Sequence, residues 1–79
     1  MDDALMDLAR RRGRHATFCP SELARQLAPE DWRPLMEPVR EAARRLHAAG
    51  RLEILQGGHP VDPSRARGPI RLRWTGTLP

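Results

Sequence analysis

Lysine is missing from this sequence: all fourteen basic side chains are arginine. A GC-rich genome gives that bias as readily as a binding surface does, so the residue type alone carries no function. Tyrosine is missing too, and the aromatics are two tryptophans and one phenylalanine. Single-strand nucleic-acid binding normally stacks bases on several exposed rings, so this composition argues against it. Trp32 and Trp74 are expected in or at the edge of the core. The single cysteine, Cys19, excludes an internal disulfide. No apolar run approaches the roughly 20 residues of a membrane span, so no membrane partner is expected. The opening "MDDALMDLAR" is acidic and unlike a signal peptide. A cytoplasmic chain fits these absences. Catalytic signatures are also scarce. There is no phosphate-loop motif and no Gly-x-Ser-x-Gly, and "QGGHP" leads into a loop and not a helix N-terminus. The expectation is a protein that is not an enzyme and takes no cofactor.

What is present is a small chain with uneven charge. Its 79 residues and 9.0 kDa make one domain over 1–79. A fold of this mass buries roughly 60–65% of its unfolded surface, leaving little room for a cleft beside a core. Residues 1–39 hold six arginines and seven acids, while 40–79 hold eight arginines and three acids. The first half is therefore net −1 and the second net +5, which together give the net +4 of the chain. The second half attracts polyanions and the first does not.

Hydrophobic periodicity predicts the elements. Segment 3–12 places Leu5, Leu8 and Ala9 on one face of a first helix. Acids sit at its start, arginines at its end, and Gly13 stops it. Thr17 and Phe18 read as extended. Pro20 suits the first position of a second helix, with Cys19 or Ser21 as the cap and Glu22 as its capping-box partner. Leu23, Ala24 and Leu27 form its expected buried stripe, and Pro29 ends it. "PEDWRPLM" is one short helical turn. A third helix runs from about Glu37 to Ala49, with Val39, Ala42, Ala43 and Leu46 inward and Gly50 as its stop. After Gly50 the period changes to two: Leu52 and Ile54 alternate with Arg51, Glu53 and Leu55, and Ile70, Leu72 and Trp74 with Arg71 and Arg73. A connection from about Gly57 to Gly68 joins these strands. It is far longer than the usual two to five residues of a hairpin loop, and such loops are often functional.

Helix, short strand, helix, helix, strand, long loop, strand is the element order of a winged helix, an α+β fold. The third helix would be the recognition helix and the loop the wing. The stretches "TFCPSELARQLAPEDWRPLM" and "VREAARRLHAAGRLEILQGGHPVDPSRARGPIRLR" resemble a group of small bacterial proteins catalogued as a domain of unknown function. The resemblance covers nearly the whole chain, and "FCPSE", "APEDWR" and "GPIRLR" are its most specific pieces. It implies a winged-helix-like fold and brings no established activity and no functional residues. One departure stands out: 29–36 separates the second and third helices by more than the three or four residues of a tight helix-turn-helix.

Candidate site residues follow from the arginine positions. Arg40, Arg44 and His47 share one stripe of the third helix, suited to phosphate or base contact. The plainer reading is a solvated face, with Arg45 paired to Glu41 four residues earlier. Arg65 and Arg67 in the loop suit phosphates or a narrow minor groove, or a structural clasp held by Asp62 or loop carbonyls. Arg71 and Arg73 lie on the outer strand face, where Glu53 faces one of them. Arg10, Arg11, Arg12 and Arg14 complement the first helix dipole. His15, Cys19, His47 and His59 lack zinc-site spacing, so no metal is expected. Cys19 reads as a buried cap-region thiol, with redox sensing as the sharper alternative.

Two functions compete. One is a small DNA-binding winged-helix module of a regulatory kind, contacting double-stranded DNA as a monomer through these residues. The other is an adaptor whose basic face meets an acidic protein. An apolar patch around Leu55, Trp74 and Leu78, rimmed by arginine, would favour the adaptor.

Overall fold

The computed structural model describes residues 1–76. Helix α1 spans Asp2–Arg12, α2 Pro20–Leu27 and α3 Met36–Ala48, with a 3-10 turn at Arg33–Leu35 leading into α3. Three short strands follow: β1 Leu52–Gln56, β2 His59–Pro60 and β3 Arg71–Trp74. They form an antiparallel sheet in the order β2-β1-β3. The architecture is α+β. Among the described residues, no helix is long and apolar enough to cross a membrane.

The helices begin and end for local reasons. Gly13 takes a positive φ of 84° and its N–H returns to the Ala9 carbonyl, closing α1. At α2 the Glu22 carboxylate accepts from the Cys19 N–H at 3.1 Å, the carboxylate half of a capping box, and Pro20 occupies the first turn. Cys19 is thus the cap residue. Ser21, the other candidate, donates its hydroxyl to the Cys19 Sγ at 3.1 Å. Helix α3 closes as a Schellman motif. Gly50 has φ 77°, its N–H reaches the His47 carbonyl, and the Arg51 N–H reaches the Leu46 carbonyl, each at 2.9 Å. Strand β1 starts at the next residue.

The core joins all three helices to the sheet. Leu5, Leu8 and Ala9 of α1, Leu23 and Ala24 of α2, and Val39, Ala42, Ala43 and Leu46 of α3 meet Leu52, Ile54, Ile70 and Leu72. Phe18 sits among them fully buried. Its backbone forms a two-way bridge with Leu72: the Phe18 N–H donates to the Leu72 carbonyl at 2.9 Å, and the Leu72 N–H returns to Phe18 at 2.7 Å. The segment between α1 and α2 is thereby stitched to the outer edge of β3. Trp32 and Trp74 are half-buried at the edge of the core.

Three expected positions move, the first being Cys19, expected buried and found half-buried. Leu27 is 49% exposed, not part of the α2 stripe. The stripe stops at Ala24 because α2 is only two turns long and Leu27 is its last residue. Leu55 was expected on the outer face and is buried instead, 2% exposed. It lies mid-sheet on the central strand, opposite Pro60 on one side and Arg71 on the other.

An ion pair ties the ends of this arrangement. Asp2 at the start of α1 accepts from Arg45 on α3, 43 residues away, with Nη2 at 2.7 Å from Oδ1 and Nε at 3.3 Å from Oδ2. The hydrogen bond from Arg45 holds the Asp2 carboxyl below the ordinary carboxylate range. A depressed folded pKa contributes stability above the unfolded value, and that contribution is lost as pH falls through the folded value. Asp2→Asn should therefore be less stable than wild type at neutral pH. The difference should shrink below about pH 4 and vanish once the wild-type carboxyl is protonated, as read by urea unfolding across pH. For the core, Phe18→Ala should cost about 3–5 kcal/mol, whereas Leu27→Ala should stay within about 0.5 kcal/mol, by the same urea midpoints.

Candidate functional site

The basic residues of the second half do not share one fate. On α3, Arg44 is held by two carboxylates of its own helix: Glu37 at 2.7 Å and Glu41, which accepts from the same Nη2. Hydrogen bonds from Arg44 push the Glu41 carboxyl down, and Glu41 and Glu37 push the Arg44 guanidinium up. Arg45 pairs with Asp2 and not with Glu41. The helical spacing allowed the Glu41 pair, but α1 brings a carboxylate within reach from across the fold. His47 is half-buried, with Nδ1 3.1 Å from the Leu52 carbonyl at the start of β1. It helps to hold the helix-to-strand joint.

The outer strand face is likewise occupied. Glu53 stands opposite Arg73 in the ladder and pairs with it at 3.0 Å. Arg71 donates to the Thr17 hydroxyl at 2.8 Å and the Thr17 carbonyl at 3.1 Å, beside the Phe18 bridge. Its role is to pin the segment that precedes α2.

The connection between β1 and β3 differs from the single long loop expected. Gly57 and Gly58, with φ 57° and 82°, make a two-residue turn into β2. Two successive positive φ values are what a tight hairpin of the primed type needs, and only glycine adopts them at little cost. The Gly-Gly pair between apolar runs was the signal for this turn. The irregular stretch is therefore only 61–70. It is well tied. The Val61 N–H donates to the Ile54 carbonyl at 2.9 Å, and Val61 and Ala66 pack on the core. Asp62 turns the chain by accepting from the Ser64 N–H at 2.9 Å and the Ser64 hydroxyl at 2.8 Å. Those two bonds lower the Asp62 carboxyl, with a smaller contribution from His47 on α3. The Gln56 side-chain amide donates to the Arg67 carbonyl at 2.5 Å and the Pro69 carbonyl at 3.0 Å. Arg40 of α3 donates to the Gly68 carbonyl at 3.4 Å. The stretch thus lies back along α3, near His47 at one end and Arg40 at the other.

The clasp in this loop is Gln56 with Arg40, not Arg65 or Arg67. Both loop arginines are exposed. Among the described residues, Arg40, Arg65 and Arg67 have no carboxylate partner. Arg40 touches the stretch that carries Arg65 and Arg67, whereas Arg44, Arg45, Arg71, Arg73 and His47 are engaged elsewhere. The apolar patch expected at Leu55, Trp74 and Leu78 lacks its first member, since Leu55 is buried. Leu78 lies outside the described residues. Among the described residues the large exposed apolar side chains are Met1 and Leu27, and no surface pocket opens.

A feature that sequence reasoning missed sits between α2 and α3. Arg25 and Arg33 both stack over the Trp32 ring, 4.4 Å and 4.6 Å from its centroid. Trp32 in a proline-bounded segment with arginines one and seven residues away was the available clue. The stack links the end of α2 to the 29–36 connection through the Trp32 ring.

No curated protein matches the chain. A family model described as "Protein of unknown function (DUF3253)" matches residues 1–75. The match takes in every helix and strand, so the chain belongs to this family, DUF3253.

Proposed function

We propose that this protein is a small nucleic-acid-binding module, a winged helix whose α3 and 57–70 connection face double-stranded DNA. The observation that carries the reading is the Arg40 contact to Gly68. It sets an arginine of α3 against a loop bearing two exposed arginines that no carboxylate neutralises among the described residues. The element order supports the same reading, with the Phe18 bridge as the short first strand.

The mode of binding follows from the pairing. The leading end of α3 carries Glu37 and Glu41, and Arg44 is spent on them. That end is poorly suited to reading base edges. The loop also covers part of the stripe that would enter a major groove. Contact is therefore to phosphates, which gives affinity with little sequence discrimination. The module acts as a monomer in the cytoplasm.

The experiment is fluorescence anisotropy with random duplex DNA across a salt series. Three phosphate contacts, from Arg40, Arg65 and Arg67, give a log K against log salt slope of about −2.7. Dissociation constants should be on the order of 10⁻⁴–10⁻⁶ M at physiological salt. Arg65→Ala with Arg67→Ala should flatten the slope by about 1.8. Arg10→Ala with Arg11→Ala removes the same charge from α1 and should leave the slope nearly unchanged. Equal loss in both double variants would mean that net charge alone attracts DNA. Absence of salt-dependent binding in wild type would sink the reading and leave the adaptor for an acidic protein in its place.

A further inference from the structure

The geometry points to Gln56 as a positioning residue that pre-forms a phosphate seat over Gly68, between the side chains of Arg40 and Arg67. This rests on the nucleic-acid reading and adds to it the group recognised and the residue that shapes the site.

Four observations support the seat. The Gln56 amide bridges the carbonyls on either side of Gly68, those of Arg67 and Pro69. One side chain therefore fixes the backbone of three successive residues. Arg40 reaches the Gly68 carbonyl itself through one Nη2–H, so its other guanidinium donors remain for a ligand. Gly68 takes a φ of 81°, and apart from its two chain neighbours nothing lies within 4 Å of where its Cβ would stand. The space over that residue is open. Arg67, next in the chain, is exposed and meets no carboxylate among the described residues.

The ligand class follows. The Arg40 guanidinium at the Gly68 carbonyl, with the exposed side chain of Arg67 next in the chain, suits a tetrahedral oxyanion, and the forked donors of arginine match its oxygens. In a nucleic acid this is the backbone phosphodiester. The contribution of Gln56 is pre-organisation. Without it the loop must lose conformational freedom when the phosphate binds, which weakens association without removing any charge. Affinity and salt slope therefore separate: the arginines set the slope and Gln56 sets the intercept.

Gln56→Met keeps the length of the side chain and removes both donated bonds. On random duplex it should bind about three- to tenfold more weakly with the salt slope unchanged. In an Arg67→Ala background the same substitution should have almost no further effect, because the group it positions is gone. A Gln56→Met loss that persists undiminished in that background, or no loss at all, overturns the proposal. Titration with inorganic phosphate, followed by amide NMR, tests the seat apart from nucleic acid. Wild type should show the largest shifts at Arg67 and Gly68, and Gln56→Met should not. Duplex binding without those shifts overturns the seat and spares the function. Phosphate shifts without duplex binding overturn the function and uphold the seat.

Discussion

The two-way backbone bridge between Phe18 and Leu72 is the constraint on which the rest of the fold depends. A chain of this size has a thin core and needs few, well-placed ties. The bridge places a phenylalanine at the meeting point of three helices and a sheet. It also positions Cys19 one residue later as the α2 cap, so the start of α2 is set by the sheet edge. Arg71 closes the same corner by holding Thr17 from the other side of Leu72. A break here would release α2, the connection that follows it and the edge of β3 together.

The arginines sort by neighbour and not by position in the chain. Some are neutralised by carboxylates, such as Arg12 by Glu22 and Arg73 by Glu53. Arg25 and Arg33 lie on an indole. Arg40, Arg65 and Arg67 have no carboxylate partner among the described residues, and Arg40 reaches the loop that carries the other two. Net charge by half-chain overstates the extent of unpaired charge, since Arg44, Arg45 and Arg73 are each held by a carboxylate. Exposed ion pairs contribute little stability, about 0–1 kcal/mol each. Their larger effect here is to subtract charge from surfaces that would otherwise attract polyanions.

How much of this was legible before the structure differs by element. The helices were readable because each has a stop or start signal coupled to a 3.6-residue stripe: Gly13, Pro20 with Glu22, Gly50. The buried positions Val39, Ala42, Ala43, Leu46, Ile54 and Leu72 follow from period alone. Leu27 misled because periodicity does not say where a short helix ends. The length of the Gly57–Gly68 connection suggests one loop, whereas the Gly57–Gly58 pair is a local turn signal that splits off β2. Within the candidate site, Arg40 and the loop arginines were legible as basic residues on exposed segments. Their separation from Arg44 and Arg45 was not. The partner of Arg45 is 43 residues away, and such a pair exists only after α1 has packed beside α3. The Gln56 clamp was equally hidden, since nothing in a glutamine's local sequence announces which carbonyls it will reach.

The joint at Gly50 has a consequence for how chains of this design can vary in length. Helix α3 passes into β1 through one left-handed glycine, and the Arg51 N–H is spent on the Leu46 carbonyl. An added residue there would break that bond and turn every β1 side chain to the opposite face, exchanging Ile54 for Glu53 in the core. The penalty is smaller in the stretch between Asp62 and Pro69, whose ends are fixed by their own hydrogen bonds and where Ser64, Arg65, Arg67 and Gly68 are exposed while Ala66 packs on the core. Insertions and deletions should therefore collect in that stretch and be absent from the joint, so that homologues differ in the reach of the loop while its base stays fixed.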